Sequence, residues 1–120
     1  MIRVVLLASI VALVAAGPGA GHGLLARAEP RAGSTVRTAP RTVRLWFAGA
    51  IEPRYSGVHL LDAAGTRVDL DDADVDAATG TVMTVSLLPS LAPGRYRVVW
   101  RALSVDSHVT RGEFAFRIAP

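Results

Sequence analysis

The chain has three histidines in 120 residues, and one of them, His108, follows Asp106 by two positions in the stretch "SVDSHVTRG". A carboxylate and an imidazole at that spacing can serve one ion. In an extended segment both side chains leave the same face, their backbones about 6.5–7 Å apart. Two ligands do not make a site, and a local hydrogen bond in a solvated turn is the ordinary use of such a pair. His22 changes the balance. If the chain is cut after Gly21, His22 becomes the N-terminus and offers two nitrogens, the free α-amine and ring Nδ1, in one six-membered chelate. With His108 and Asp106 that makes three nitrogens and one oxygen, a set that suits Cu(II), where first-row affinities peak. The soft ligands of Cu(I) are missing: there is no Cys, and only Met83 remains once Met1 is removed.

The cut itself is legible. Met1-Ile2-Arg3 precedes "VVLLASIVALVAA", thirteen residues without charge, and then "GPGAG". One basic residue, a short apolar stretch and a run of small residues read as a secretory signal peptide over residues 1–21. Gly19 and Gly21 supply the small residues that cleavage requires, whereas a cut after Ala20 would place Pro18 badly. A spanning helix wants about 18 or more apolar residues, and Gly17-Pro18-Gly19 breaks this one first. An uncleaved anchor is the alternative reading. Residues 22–120 then form one exported domain, large enough for a modest core.

Composition narrows the function. All 13 basic residues are Arg, and 12 of them fall in residues 22–120 against 10 acids. They are spread along the chain, which argues against a nucleic-acid surface. Without Cys, neither a disulfide nor a thiolate ligand is available.

The elements that must position the ligands read as strands. "TVRLWFA" sets Val43, Leu45 and Phe47 on one face; "TVMTVSLL" does the same with Met83, Val85 and Leu87. "SGVHLLD" and "AAGTRVDL" read as two strands around a turn at Ala63-Ala64-Gly65. "LAPGRYRVVWRAL" starts from a Pro-Gly turn with Tyr96, Val98 and Trp100 together, and "GEFAFRI" aligns Phe114, Phe116 and Ile118. About seven short strands and no helical period predict an all-β fold, an Ig-like or Greek-key sandwich or barrel.

Three stretches carry a family likeness. "HGLLARAEPRAGS" resembles the start of the CopC family of exported copper-resistance proteins, and "RLWFAGAIEPRYSGVHLLDAAG" is similar to its second and third strands. "LAPGRYRVVWRALSVDSHVTRGEFAFRI" resembles the C-terminal third most specifically, through the Pro-Gly turn, the Trp strand and the Ser-x-Asp-x-His element. The resemblance implies one Cu(II) per chain, held by His22 (amine and ring), Asp106 and His108. It also implies a periplasmic or other extracytoplasmic monomer that buffers copper or hands it to a membrane copper-import protein of the CopD type, with no enzymatic activity. Two departures stand out. Many members carry a Glu two residues after the Phe of the first core strand, where this chain has Gly49; Glu52 lies three residues further on. The Met-rich Cu(I) loop of some members has no counterpart, and Met83 reads as core packing.

Other features carry less. Asp72, Asp74 and Asp76 have the opening spacing of a calcium loop, but Ala77 stands where Gly is required and Met83 where Glu is, so a solvated acidic loop is expected. His59 alternates with Val58 and Leu60 and is expected to be exposed or hydrogen-bonded, without a metal role. Two rivals to a copper carrier are an oxidative enzyme built on the same N-terminal His chelate and a metal-free Ig-like adhesion or spacer domain. The enzyme needs an open coordination position and a broad substrate surface, for which two Trp and two Tyr leave little material.

Overall fold

The computed structural model describes residues 24–120. Alternating apolar residues build eight strands in two four-stranded sheets. In chain order these are β1 (Leu25–Glu29), β2 (Thr35–Val36), β3 (Thr42–Phe47), β4 (Gly57–Leu61), β5 (Asp74–Val75), β6 (Val82–Ser86), β7 (Gly94–Leu103) and β8 (Val109–Ile118), with one 3-10 turn at Pro53–Tyr55. One sheet runs β1-β3-β6-β5, the other β2-β8-β7-β4. The all-β sandwich is as expected, with eight strands in place of about seven.

The differences lie in the short elements. "AAGTRVDL" forms no continuous strand: it touches its neighbours through single bridges, Leu61 with Arg67 and Asp69 with Leu87. Asp62 explains the interruption, because its carboxylate accepts from the amides of Ala64 and Thr66 and closes the turn locally. Two-residue strands β2 and β5 arise instead at isolated Thr35-Val36 and Asp74-Val75, too short to show alternation among the turn residues and acids around them. Their partners β8 and β6 supply the ladder, so pairing, and not a local alternating pattern, makes them strands.

The inward residues predicted from alternation are buried, apart from Phe114, which is only partly covered. Val43, Leu45, Val58, Leu60, Met83, Val85 and Val98 are fully enclosed. Phe47 of one sheet meets Trp100 of the other edge to face at 5.4 Å, which ties the layers together at one end. Trp100 also requires its cross-strand neighbour to be glycine. A Cβ at Gly112 would stand 2.6 Å from the indole, closer than any tolerated contact, so this pair packs ring against bare backbone. At the other end Tyr96 stacks on Phe116 at 5.8 Å and donates its hydroxyl to the carbonyl of Ala92 at 2.6 Å.

The turn that carries Asp106 and His108 sits at the Phe47–Trp100 end. Strand β3 finishes there at Phe47, opposite Leu25 at the start of β1, and the β7–β8 hairpin turns there between Leu103 and Val109.

Candidate metal centre

Ten residue pairs of antiparallel ladder bring β7 and β8 to a five-residue connection, Ser104 to His108. The connection is a compact turn. The amide of Ser107 donates to the carbonyl of Ser104 at 2.9 Å, and the amide of Ser104 donates to the carbonyl of His108 at 2.8 Å. Ser107 takes a φ of 77°, in the left-handed region that non-glycine residues seldom adopt. Asp106 and His108 therefore do not share a face by strand alternation, as an extended segment would have it. They meet because the chain folds back.

Ser104 organises the meeting. Its hydroxyl oxygen accepts from the amide of His108 at 3.1 Å, and the hydroxyl donates to Asp106 Oδ1. The same Oδ1 lies 3.1 Å from His108 Nδ1. Donors from Ser104 first, and from His108 next, hold the Asp106 carboxyl below its ordinary pKa. A carboxylate at Nδ1 selects the tautomer with hydrogen on Nδ1 and leaves the Nε2 lone pair for another partner. Both side chains are open to solvent, at 71% for Asp106 and 80% for His108. The result is an ionised carboxylate and an oriented imidazole on an exposed turn, the donor chemistry a divalent first-row ion requires.

A web of backbone hydrogen bonds joins this turn to the start of the sandwich. Val105 N donates to Ala50 O at 3.2 Å, and Glu52 N donates to Leu103 O at 2.8 Å. At the other end of the same loop, Ala48 N donates to Leu24 O at 2.7 Å. Leu24 is the first described residue, so His22 lies outside the described residues. Gly49 sits within this loop, and a side chain added there would meet nothing within 4 Å. Glu52 is tied down by its backbone, and its half-buried carboxylate makes no cap bond to the 3-10 turn that it precedes.

A second Asp–His pair, unread in the sequence, lies between β4 and the segment after it. One ligand atom each from His59, Asp69 and Asp71 falls within 4.8 Å of the others. Arg67 already supplies the cation there, with Nη2 3.3 Å from Asp69 and 3.0 Å from Asp71. The Asp69 side chain is fully buried; it accepts from the amides of Leu60 and Asp71, both at 2.9 Å. Burial pushes its pKa up, but the Leu60 and Asp71 amides with Arg67 and His59 outweigh that and hold it low. His59 Nδ1 stands 3.4 Å away, a hydrogen-bonded strand histidine as expected. Ten residues separate the two partners in sequence, so no motif announces them.

The acidic loop is likewise structural. Asp72 Oδ1 accepts from Ser86 N at 2.8 Å, Asp76 Oδ2 accepts from Thr79 Oγ1 at 2.8 Å, and Asp74 enters β5. The three carboxylates serve different ends of the loop. Met83 has no exposure.

The chain matches the family model described as CopC domain over residues 25–119. Among solved structures it is similar to CopC from Methylosinus trichosporium OB3b, with 36% identity and a TM-score of 0.75, covering 82% of this chain and 95% of that one. Copper resistance protein C of Pseudomonas syringae pv. tomato is 31% identical, over 92% of this chain and 94% of its own length. Copper transport protein CutJ of Bacillus subtilis (strain 168) is 29% identical over 97 residues, and the chain spans only 18% of that longer protein. With a sandwich of this form and an Asp-x-His turn at its end, this chain belongs to the CopC domain family.

Proposed function

We propose that the exported chain binds one Cu(II) through the α-amine and ring of His22, Asp106 and His108, and carries copper outside the cytoplasmic membrane. The observation that supports this best is the Ser104-organised pair of Asp106 and His108 on the turn to which the loop from Ala48 to Glu52 is bonded. Leu24 joins that loop directly, and two residues of extended chain reach about 7 Å. The reading has a terminal His22 span from Leu24 to the turn, a requirement that moves no core residue. Nitrogen and oxygen donors favour the oxidised metal. The one methionine of the described residues is sealed in the core, so no thioether is offered to Cu(I). On this reading the protein is a monomeric carrier rather than a catalyst, and a membrane copper-import protein of the CopD type is its recipient.

The test compares two forms of the protein, one beginning at His22 and one with a single extra residue before it. Competition titrations with separate Cu(II) and Cu(I) chelators should give one tight Cu(II) equivalent for the first form only. Because the amine's ordinary pKa is about 7.7–8.0, copper must displace a proton from it. Affinity in the first form should climb from about pH 6 to 8. Equal Cu(II) affinity in the two forms, or tight Cu(I) binding, would overturn the reading.

A further inference from the structure

The outer face of the β2-β8-β7-β4 sheet carries a charge pattern that a copper site at the turn does not use. Register sets Arg101 directly opposite Arg111, and Arg95 opposite Arg117. Like charges directly opposite one another on a sheet destabilise it. Glu113 alternates with these residues on β8, but it faces Arg97 at 3.4 Å. Among the described residues, no carboxylate oxygen lies within 4.0 Å of Arg54, Arg101 or Arg111.

These three arginines line one open groove of about 910 Å³ between the sheet and the 3-10 turn, together with His59 and Glu113, the carboxylate already paired with Arg97. Tyr55, 51% exposed, forms part of its wall, and Val99 part of its floor. Gly57 leaves the floor open, because a Cβ there would meet nothing within 4 Å. Arg101 is held at the wall, its Nη1 donating to the carbonyl of Tyr55 at 3.1 Å.

We propose that this groove docks an acidic segment of a protein partner, with carboxylates entering between Arg54, Arg101 and Arg111. Guanidinium groups take carboxylates in paired hydrogen bonds, and an anion seated there offsets the repulsion that the free protein carries. Arginine and tyrosine around an apolar floor are the residues that anchor protein interfaces. The exposed Tyr55 ring and Val99 beside the guanidinium groups offer apolar contacts to neighbouring side chains of a peptide, which favours a peptide segment over a lipid headgroup. The Arg101–Arg111 pair is the next outward pair after Leu103–Val109, the pair that closes on the Ser104–His108 turn. A docked partner therefore lies beside that turn. Its place as a copper recipient rests on the proposed function; the docking does not.

The experiment measures fluorescence anisotropy of a labelled peptide of Glu-Leu-Asp-Ser repeats against the metal-free protein, in chelator and at two salt concentrations. The wild type should bind, more weakly at high salt. Arg111→Glu should weaken binding at least tenfold and raise the melting temperature, since it places a carboxylate opposite Arg101. That rise separates lost docking from lost folding. Arg37→Glu, at the far end of the sheet, should leave binding unchanged. No binding by the wild type, or equal losses from Arg37→Glu and Arg111→Glu, overturns the proposal. So does tighter, Arg111-dependent binding to phosphatidylglycerol vesicles, which would assign the face to a membrane.

Discussion

Asp69 with His59 and Asp106 with His108 are the same chemical pair in opposite settings. In each, a carboxylate Oδ1 faces a histidine Nδ1, at 3.4 Å in the first and 3.1 Å in the second. Asp69 is buried and holds two amides and a guanidinium. Asp106 is exposed, and its organiser is a single hydroxyl on the same turn. A carboxylate whose oxygens are committed to backbone amides fixes a loop to a strand. One that is merely oriented stays available to an incoming ion. Burial and the number of donors, not the residue types, separate the structural pair from the proposed ligand pair.

The largest effect expected from breaking this contrast is on stability. Asp69→Ala strips a buried acceptor from two amides and the exposed Arg67, and should cost about 2–4 kcal/mol, read by chemical denaturation, with Cu(II) affinity preserved. The sign with pH follows from the lowered pKa of Asp69. Its contribution is full above the unfolded carboxylate value near 3.9 and is lost as pH falls through the lower folded value. The wild type should therefore lose stability below about pH 4 more steeply than Asp69→Ala does. Parallel acid limbs would show that Asp69 contributes nothing as an ion.

On the ligand side, His108→Ala should weaken Cu(II) binding by about a hundredfold or more, beyond most losses from outer-shell partners, while His59→Ala leaves it unchanged. Chelator competition on both variants decides this, and equal losses would erase the distinction between the pairs. Ser104→Ala keeps both proposed ligands and removes their organiser. Its expected cost is about tenfold in Cu(II) affinity, with a fold unchanged by circular dichroism. If that variant binds as the wild type does, Asp106 and His108 need no preorganisation. The smallest effect concerns Gly49, where the structure leaves room for a side chain. Gly49→Glu should tighten Cu(II) by no more than about fivefold, as an exposed charge contributes up to about 1 kcal/mol.

The strands that build the core were readable in advance, because alternation with period two specifies which face of each is buried, whatever lies beyond it. Val43, Leu45 and Phe47, like Met83, Val85 and Leu87, point inward as their spacing requires. The closeness of Asp106 and His108 was also readable, since residue type and short spacing are local properties; the copper chemistry proposed for the pair rests on the same local reading. Strands β2 and β5 were not, because a two-residue strand exists only through its partner. The mode of meeting at Asp106 and His108 was not either: a hydroxyl bond and a positive φ at Ser107 are choices made by the hairpin's closure, not by residue alternation. Nor did the chain order hint that Asp69 would be buried beside His59, or that Arg101 would stand opposite Arg111. Those depend on register between segments distant in sequence. Sequence by itself determined what each segment would bury and which donors the chain could offer an ion. Tertiary structure alone decided which charges became neighbours, because Coulomb and hydrogen-bond energies depend on distances that only the packed sheets set.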